Sequence, residues 1–490
     1  MSSLLTALSP LNLVYMLAGT VLGILIGAAP GLGPVFALAI LLPMTYSMSA
    51  TSSVIFLSAV YGACCYGGSI SSILLNTPGT PGNVATCFDG YPMTRRGEAG
   101  RALGISTTAS LVGGLFGVAA FALLGNALAQ LSLKIGAAEY FLLAVAGLCL
   151  VALAAKGNAL KGIIMGGLGL MLTFIGRSVV TGDKRFTFGT VYLEDGLQFI
   201  PIVIGAFALA QALVLVNEKG AMSAADSKVS GVMAGTKEVF KFPVPLVRSS
   251  VLGTIIGIVP GLGINAASFI TYVVEKNAAK DKDTFGEGNT KGLIAPQTAI
   301  GAVTSSALIP AFALGVPGSS SAALFLSALS IHGIQTGYSF YSKNGDMVST
   351  IIWGMLLAQF AFAILGLLGA KYFAKITEMP NSLLVPLILM LSVVGAYATR
   401  RQIMDVAVML AAAVIGYCLE RNKFPLSCLI LGLILGSLAE DNYCRAMRLS
   451  GGSWSIFFTR PISLALIIII VVCFAWPLLK KLFNRKQTAG

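Results

Sequence analysis

The sequence predicts an all-α polytopic membrane protein, built as two inverted repeats with broken or re-entrant helices and about 10 to 14 transmembrane segments. Three observations lead there. Only 10% of the 490 residues are charged and 56% are hydrophobic, whereas a soluble domain carries about a quarter charged residues. Apolar runs of about 20 residues, the length that crosses a bilayer, recur along the chain. Two of the apolar stretches carry the same interruption, "GILIGAAPGLG" at 23–33 and "GTIIGIVPGLG" at 253–263.

No Asp, Glu, Lys, Arg or His precedes Asp89. A secretory leader opens with a basic region, so the first apolar segment is expected to stay as a membrane element. Clear spanning candidates follow at 102–126, 138–155, 159–176, 197–216, 348–370, 383–398, 403–419, 424–439 and 461–479. The stretches 11–88 and 246–336 are apolar but rich in Gly, Pro, Ser and Thr, and should give spans mixed with shorter pieces. A polar linker, 217–245, separates a first repeat (1–216) from a second (246–490), and another polar loop occupies 275–291. The basic end "KKLFNRK" and Arg95, Arg96 and Arg101 are expected on the cytoplasmic side. Threading the spans back from the C-terminus puts Tyr338–Asp346 on the opposite side from Arg95–Arg101, which inverts the halves. Arg400 and Arg401 fall outside in this threading, against the rule.

The net charge of +13 is scattered through short connections. That is a positive-inside bias and not the aromatic-interleaved basic stripe of a nucleic-acid binder, so no nucleic-acid partner is expected. Eight cysteines lie in apolar contexts without ligand spacing and read as small core residues. His332 is the only histidine, which excludes an HExxH metalloprotease. A Ser–His pair using it has no motif behind it, and His332 reads as a polar residue near a helix end. There is no GxxxxGK[ST] phosphate cradle, and "GEGNTKG" at 286–292 has the wrong spacing. An enzyme is not expected, nor a cofactor. Lys134, Glu139, Glu440 and Asp441 sit near span ends and read as interfacial, and Asp89 as a turn or subunit contact.

Each half holds a second Pro-Gly site, in "YGGSISSILLNTPGTPGN" (66–83) and "SSALIPAFALGVPGSSSAA" (305–323). The spacing is 48 residues from Pro30 to Pro78 and 57 from Pro260 to Pro317. A backbone group left without a partner in hydrocarbon costs several kcal/mol, so broken helices persist only where buried or lining a watery cavity. Proline removes a donor and glycine accepts a sharp reversal. Pro kinks and GxxxG packing explain single breaks. Paired breaks in both halves match the midplane site of a secondary transporter. Helix N-termini suit a carboxylate, and unwound carbonyls suit Na+.

The candidate substrate-binding residues are Gly31, Gly33, Ser69, Asn76, Thr77, Gly79, Thr80, Gly261, Gly263, Asn265, Gly318, Ser319 and Ser320. Ser71, Ser72, Asn83, Ser268, Thr304, Ser306 and Ser321 surround them, and Asn76 leads the set. Oxygens at Pro30, Asn76, Pro260, Ser305 and Val316 are the candidates for Na+. No cationic side chain lies within either break, so an anion would be held by dipoles and hydroxyls. A stand-alone channel or facilitator for organic anions is the alternative; an intramembrane enzyme is a weaker one. Paired inverted halves favour alternating access.

The stretches 30–48, 66–104 and 292–329 resemble the large membrane subunit of tripartite tricarboxylate transporters, the TctA family, and the resemblance runs along essentially the whole chain. It implies a multi-pass protein of the bacterial inner membrane that imports carboxylated solutes. Its implied partners are a small four-span membrane subunit, a periplasmic binding protein that delivers the substrate, and the lipid bilayer; a homodimer is compatible with it. Import would be driven by Na+ or H+ with an elevator-like movement. Carried over, Gly31, Gly33 and Pro34 match the first loop, and Asn76, Thr77, Pro78, Gly79, Thr80 and Pro81 the second. Pro260, Gly261, Gly263, Pro317, Gly318 and Ser319 match the loops of the later half. Where the family is expected to read Ala-Pro-Glu-Ala-Asn-Asn, this chain has Ala295-Pro296-Gln297-Thr298-Ala299-Ile300, which removes a carboxylate that could carry a proton or hold a cation.

Overall fold

Ser9 starts the first long helix. Its hydroxyl accepts from the Asn12 amide at 3.4 Å, and Pro10 fills the first turn, where a missing N–H costs nothing. The computed structural model describes residues 2–29, 31–154, 159–178, 182–217, 230–259, 262–376, 381–468 and 470–471. The helices used below are α1 Pro10–Ala28, α2 Pro34–Leu41, α3 Ala50–Leu75, α4 Val84–Arg95, α5 Ala99–Ser132, α6 Ala137–Ala154, α7 Ala159–Thr173 and α8 Phe199–Val216. They continue as α9 Val232–Val239, α10 Pro243–Ile258, α11 Gly263–Ala278, α12 Thr290–Ser306, α13 Leu308–Leu314, α14 Ser320–Ile331, α15 Gly345–Ile376, α16 Asn381–Arg400, α17 Ile403–Arg421 and α18 Leu426–Leu449. Among the described residues the only sheet is one antiparallel pair, β1 Gly176–Arg177 with β2 Lys184–Arg185.

Nine described helices are long and apolar enough to cross a membrane, or ten if α9 and α10, bent by 80°, form one span. Shorter apolar helices include Pro34–Ser47 and Ser320–Ile331, the short pieces expected beside the breaks. This is an all-α polytopic membrane protein. About half of the predicted span at 461–479 (469 and 472–479), the basic C-terminal end, and linker residues 218–229 lie outside the described residues.

The chain forms two compact units, one of residues 1–129 with 200–417 and one of 130–199 with 418–490. In the larger, the apolar stretch of α3 is wholly buried and that of the α12–α13 span is 94% buried, whereas that of α16 is 22% buried. Leu368 on α15 is 75% exposed and Leu123 on α5 is 77% exposed, which suits helices facing lipid. Glycine lets the central helices touch backbone to backbone. A Cβ on Gly19 or Gly23 of α1 would come within 2.7 or 2.6 Å of the Phe56 and Val60 carbonyls of α3, and one on Gly27 would strike Cys64. In the second half, Gly253 and Gly257 of α10 likewise face Ala299 and Ser306 of α12. These are small-residue interfaces of the kind that hold helices together in lipid.

In the smaller unit, α18 packs on α6 and α7, with Gly169 and Gly432 meeting at their backbones. Glu139, 1% exposed at the start of α6, accepts from Arg460 at 3.2 Å, Ser463 at 2.7 Å and the Gly136 amide at 2.8 Å. Glu440 takes Arg185 in two hydrogen bonds, at 2.7 and 3.2 Å.

Candidate transport site

The two central helices of the larger unit end in the same way. Asn76 closes α3 with φ 58°, and Gly315 closes α13 with φ 71°. Both are left-handed, a conformation that glycine and, among other residues, asparagine adopt most readily. Each is followed at the same offsets by Pro-Gly and then a hydroxyl: Pro78-Gly79-Thr80, and Pro317-Gly318-Ser319. Gly79 sits against the Gly27 carbonyl and Gly318 against the Gly257 carbonyl, so each loop rests on the last turn of the glycine-faced helix of its own half. The paired interruptions in the sequence therefore reappear as matched geometry.

The helices that follow the first breaks begin without a side-chain cap. Gly33 precedes α2, and Leu262 precedes α11, and neither supplies a capping oxygen. Their first amides are donors left unused by the helix. Both N-termini face Pro-Gly loops. A Cβ built on Gly33 lies 3.6 Å from the Pro81 ring, and one on Gly263 lies 3.9 Å from Ser319 Cβ. Gly82, in the first half's loop, faces Ile264 and Asn265 at the start of α11. The first and second halves thus meet at their breaks, inside the larger unit. Gly31 (φ 82°) and Gly263 (φ 60°) are left-handed, so the reversal itself needs glycine there.

The sequence profile of the family described as "Tripartite tricarboxylate transporter TctA family" matches residues 13–431. The chain belongs to the TctA family. It is 33% identical, over 98% of its own length and 96% of the other's, to an Agrobacterium vitis protein described as "Uncharacterized 52.8 kDa protein in TAR-I ttuC' 3'region". A second protein from Agrobacterium vitis, "Uncharacterized protein in TAR-II ttuC' 3'region", is 31% identical over 48% of this chain and 97% of its own. TctA proteins are transporter subunits, so this is a multi-pass membrane transport protein.

Of the predicted site residues, this TctA chain brings Gly33, Gly79, Thr80, Gly263, Asn265, Gly318 and Ser319 to the four adjoining breaks. The Asn76 side chain is exposed and has no hydrogen bond among the described residues, while Thr77 reaches the Leu75 carbonyl at 3.3 Å. Ser319 caps α14, accepting from the Ala322 amide at 3.1 Å, and Ser320 follows as its first residue. Ser69 is engaged elsewhere: its hydroxyl donates to Tyr66 O at 2.7 Å and accepts from Ser106 of α5 at 2.7 Å. Ser71 and Ser72 both donate back to Gly68 O. Pro30, Pro260 and Gly261 lie outside the described residues. Of the other oxygens considered for Na+, the Ser305 hydroxyl is buried with no partner among the described residues, as is Ser306, while Val316 is buried within the second loop. Pro310 has no N–H to give Ser306 O, which loosens the junction of α12 and α13.

Two residues that sequence reasoning passed over sit at the breaks. Gln211 of α8 faces Gly31, and the Tyr61 hydroxyl of α3 points to Ser319 and Ser321 without completing a hydrogen bond. A glutamine inside the apolar run of α8 was the available signal for the first, since a polar side chain in a span needs a reason. Tyr61 gave no signal, because tyrosine is common in helix interiors. His332 Nε2 lies 2.9 Å from Ser53 Oγ, yet that hydroxyl already donates to Ser49 O at 2.9 Å. Asp89 is wholly buried, and its Oδ1 accepts from the Gly286, Gly288 and Asn289 amides at 2.9, 2.9 and 2.7 Å. It clamps a first-half helix to the loop preceding α12.

Proposed function

We propose that this chain is the large membrane subunit of a secondary importer of carboxylate solutes, of the dicarboxylate or tricarboxylate class, driven by an ion gradient. The observation that carries the reading is the meeting of two uncapped helix N-termini with two Pro-Gly loops, one pair from each half. Free amides backed by a helix dipole attract a carboxylate, and Thr80, Asn265 and Ser319 add neutral donors beside them. Broken helices at matched places in two halves are the usual build of an alternating-access site. The coupling ion is Na+ or H+; the unpartnered Ser305 hydroxyl and the backbone carbonyls around Val316 have the neutral oxygen chemistry that suits Na+. The two halves are taken as inverted repeats, 1–216 and 246–490, joined by the 217–245 linker. In an elevator-like cycle the larger unit, which holds all of these residues, is the moving body.

A periplasmic binding protein would deliver the solute, and a small four-span subunit would complete the assembly in the inner membrane. The test is uptake of labelled di- and tricarboxylates into proteoliposomes holding this chain and the small subunit, with the binding protein outside. Uptake should require an inward Na+ or proton gradient, and Asn76→Ala and Ser319→Ala should lower it by about tenfold, the cost of one good charge-assisted contact. Equal uptake without any gradient would point to a facilitator, and full uptake by both variants would remove the site.

A further inference from the structure

Gln297 is 0% exposed near the middle of α12, and its amide joins the two halves at the level of the breaks. Nε2 donates to Thr86 Oγ1 at 2.6 Å and to Asn83 Oδ1 at 3.3 Å, and Oε1 accepts from Ser110 Oγ of α5 at 2.9 Å. Asn83 in turn donates from Nδ2 to Cys65 O of α3 at 2.9 Å and to Thr80 Oγ1 at 3.2 Å. The direction of this chain of bonds is fixed from one end. Cys65 O is a carbonyl and can only accept, so Asn83 must present its NH2 there and its Oδ1 to Gln297. Gln297 must then present its own NH2 to Asn83. No slack is available for a different arrangement. A Cβ on Gly113 of α5 would strike Thr298 O, and one on Gly301 of α12 would strike Ser110 O, so the two backbones already touch on either side of Gln297.

We propose that Gln297 is the positioning residue of the transport site: a neutral amide that holds the 80–86 segment of the first half against the central helix of the second, and so sets where Thr80 stands. This rests on the reading of the site given above. The residue type is dictated by the donor that Asn83 demands. A carboxylate of the same shape offers a donor only when protonated, and at a fully buried position facing the Asn83 oxygen its charged form is disfavoured. The ionisable side chains on the helices packed around Gln297 are Tyr61, Cys64, Cys65 and Tyr66 on α3, Cys87, Asp89, Tyr91 and Arg95 on α4, Arg101 on α5, Arg248 on α10, and Tyr272, Glu275 and Lys276 on α11, with Lys291 on α12 itself. Arg248 is paired with Glu275 at 3.1 Å and Arg101 with Glu98 and Glu238, and among the described residues no cation hydrogen-bonds the Gln297 amide.

The test compares wild type, Gln297→Glu and Gln297→Ala in two readouts. One is uptake in the reconstituted system as a function of pH; the other is amide hydrogen exchange over residues 80–86 in the purified protein, which needs no transport. Gln297→Glu should lose about tenfold in uptake at pH 8 and return to within about twofold of wild type by pH 5.5, as its carboxyl regains a proton. Gln297→Ala should be low at every pH and should exchange at least about tenfold faster over 80–86, since a bond network to that segment is gone. A Gln297→Glu profile parallel to wild type, or unchanged exchange in Gln297→Ala, overturns the proposal. If no wild-type uptake of any carboxylate is measurable, the substrate reading fails while the exchange result still stands or falls alone.

Discussion

Asn76 combines two roles that substitution can separate. Its left-handed φ of 58° shapes the end of α3, and its exposed side chain is available to a ligand. Asn76→Gly keeps the first and removes the second, whereas Asn76→Ala removes the side chain and strains the turn by about 1 kcal/mol. Both variants should lose uptake to a similar degree, but only Asn76→Ala should unfold at a lower temperature. Uptake retained by Asn76→Gly would show that the residue matters for shape alone. At this scale the sequence was readable where a residue type has few uses. The Pro-Gly pairs named the breaks because proline and glycine act on the backbone itself. Serines are ambiguous, since hydroxyls serve equally for packing: Ser69 bonds to Ser106 and Ser319 to Ala322. The partner of Gln297 lies 214 residues away at Asn83, a pairing that no local pattern discloses.

At the scale of elements, the tightest constraint is the α1–α3 seam. Gly27→Leu should lower stability by about 1–3 kcal/mol, the usual result of forcing extra atoms into a closed interface, because its Cβ would meet the Cys64 backbone. Gly167→Leu on α7, which has open space around it, is the matched control and should keep the wild-type melting temperature in detergent. Equal losses at both sites would mean the seam is looser than described. The 176–195 segment gives a second prediction. The Lys184 ammonium, then the Arg177 guanidinium, hold the Glu194 carboxyl below its ordinary range. A carboxylate depressed in the folded state contributes stability above its unfolded pKa of about 4.3 and loses that contribution as pH falls through the folded value. Hydrogen exchange over described residues 184–195, corrected for intrinsic pH dependence, should rise below about pH 4 and also with salt, while Glu194→Gln should show no such transition. The two short helices after the breaks were foreseen only as a mixture of spans and shorter pieces, because glycine-rich apolar sequence gives no period from which to read a boundary, and α9 with its bend into α10 was not foreseen, since it falls in the stretch read as the 217–245 polar linker.

For the whole molecule, the division into compact units does not follow the predicted repeats. Residues 1–129, 200–216 and 246–417 fall in the larger unit, and 130–199 and 418–490 in the smaller, so the first repeat is cut twice and the second once. Membrane class followed directly from composition, since hydrophobic content and scarce charge leave little choice of solvent. Sidedness drew on positive charge alone, and Arg400 shows the weakness of that counting. Its guanidinium bonds Asp405 at 2.9 Å, with Asp405 wholly buried. An arginine occupied in that way is a structural tie as well as a topological mark.

The four breaks are made of glycine, proline, asparagine, small hydroxyl residues and aliphatic side chains, with nothing among them that can gain or lose a proton in water near neutrality. Peptide amides keep their polarity from mildly acidic to mildly alkaline medium. A cradle of this composition therefore has a constant appetite for negative charge, and it leaves the cargo as the partner whose ionisation can vary. The acidity at which wild-type uptake falls should then track the dissociation constants of whichever acid is supplied and move when one acid is exchanged for another.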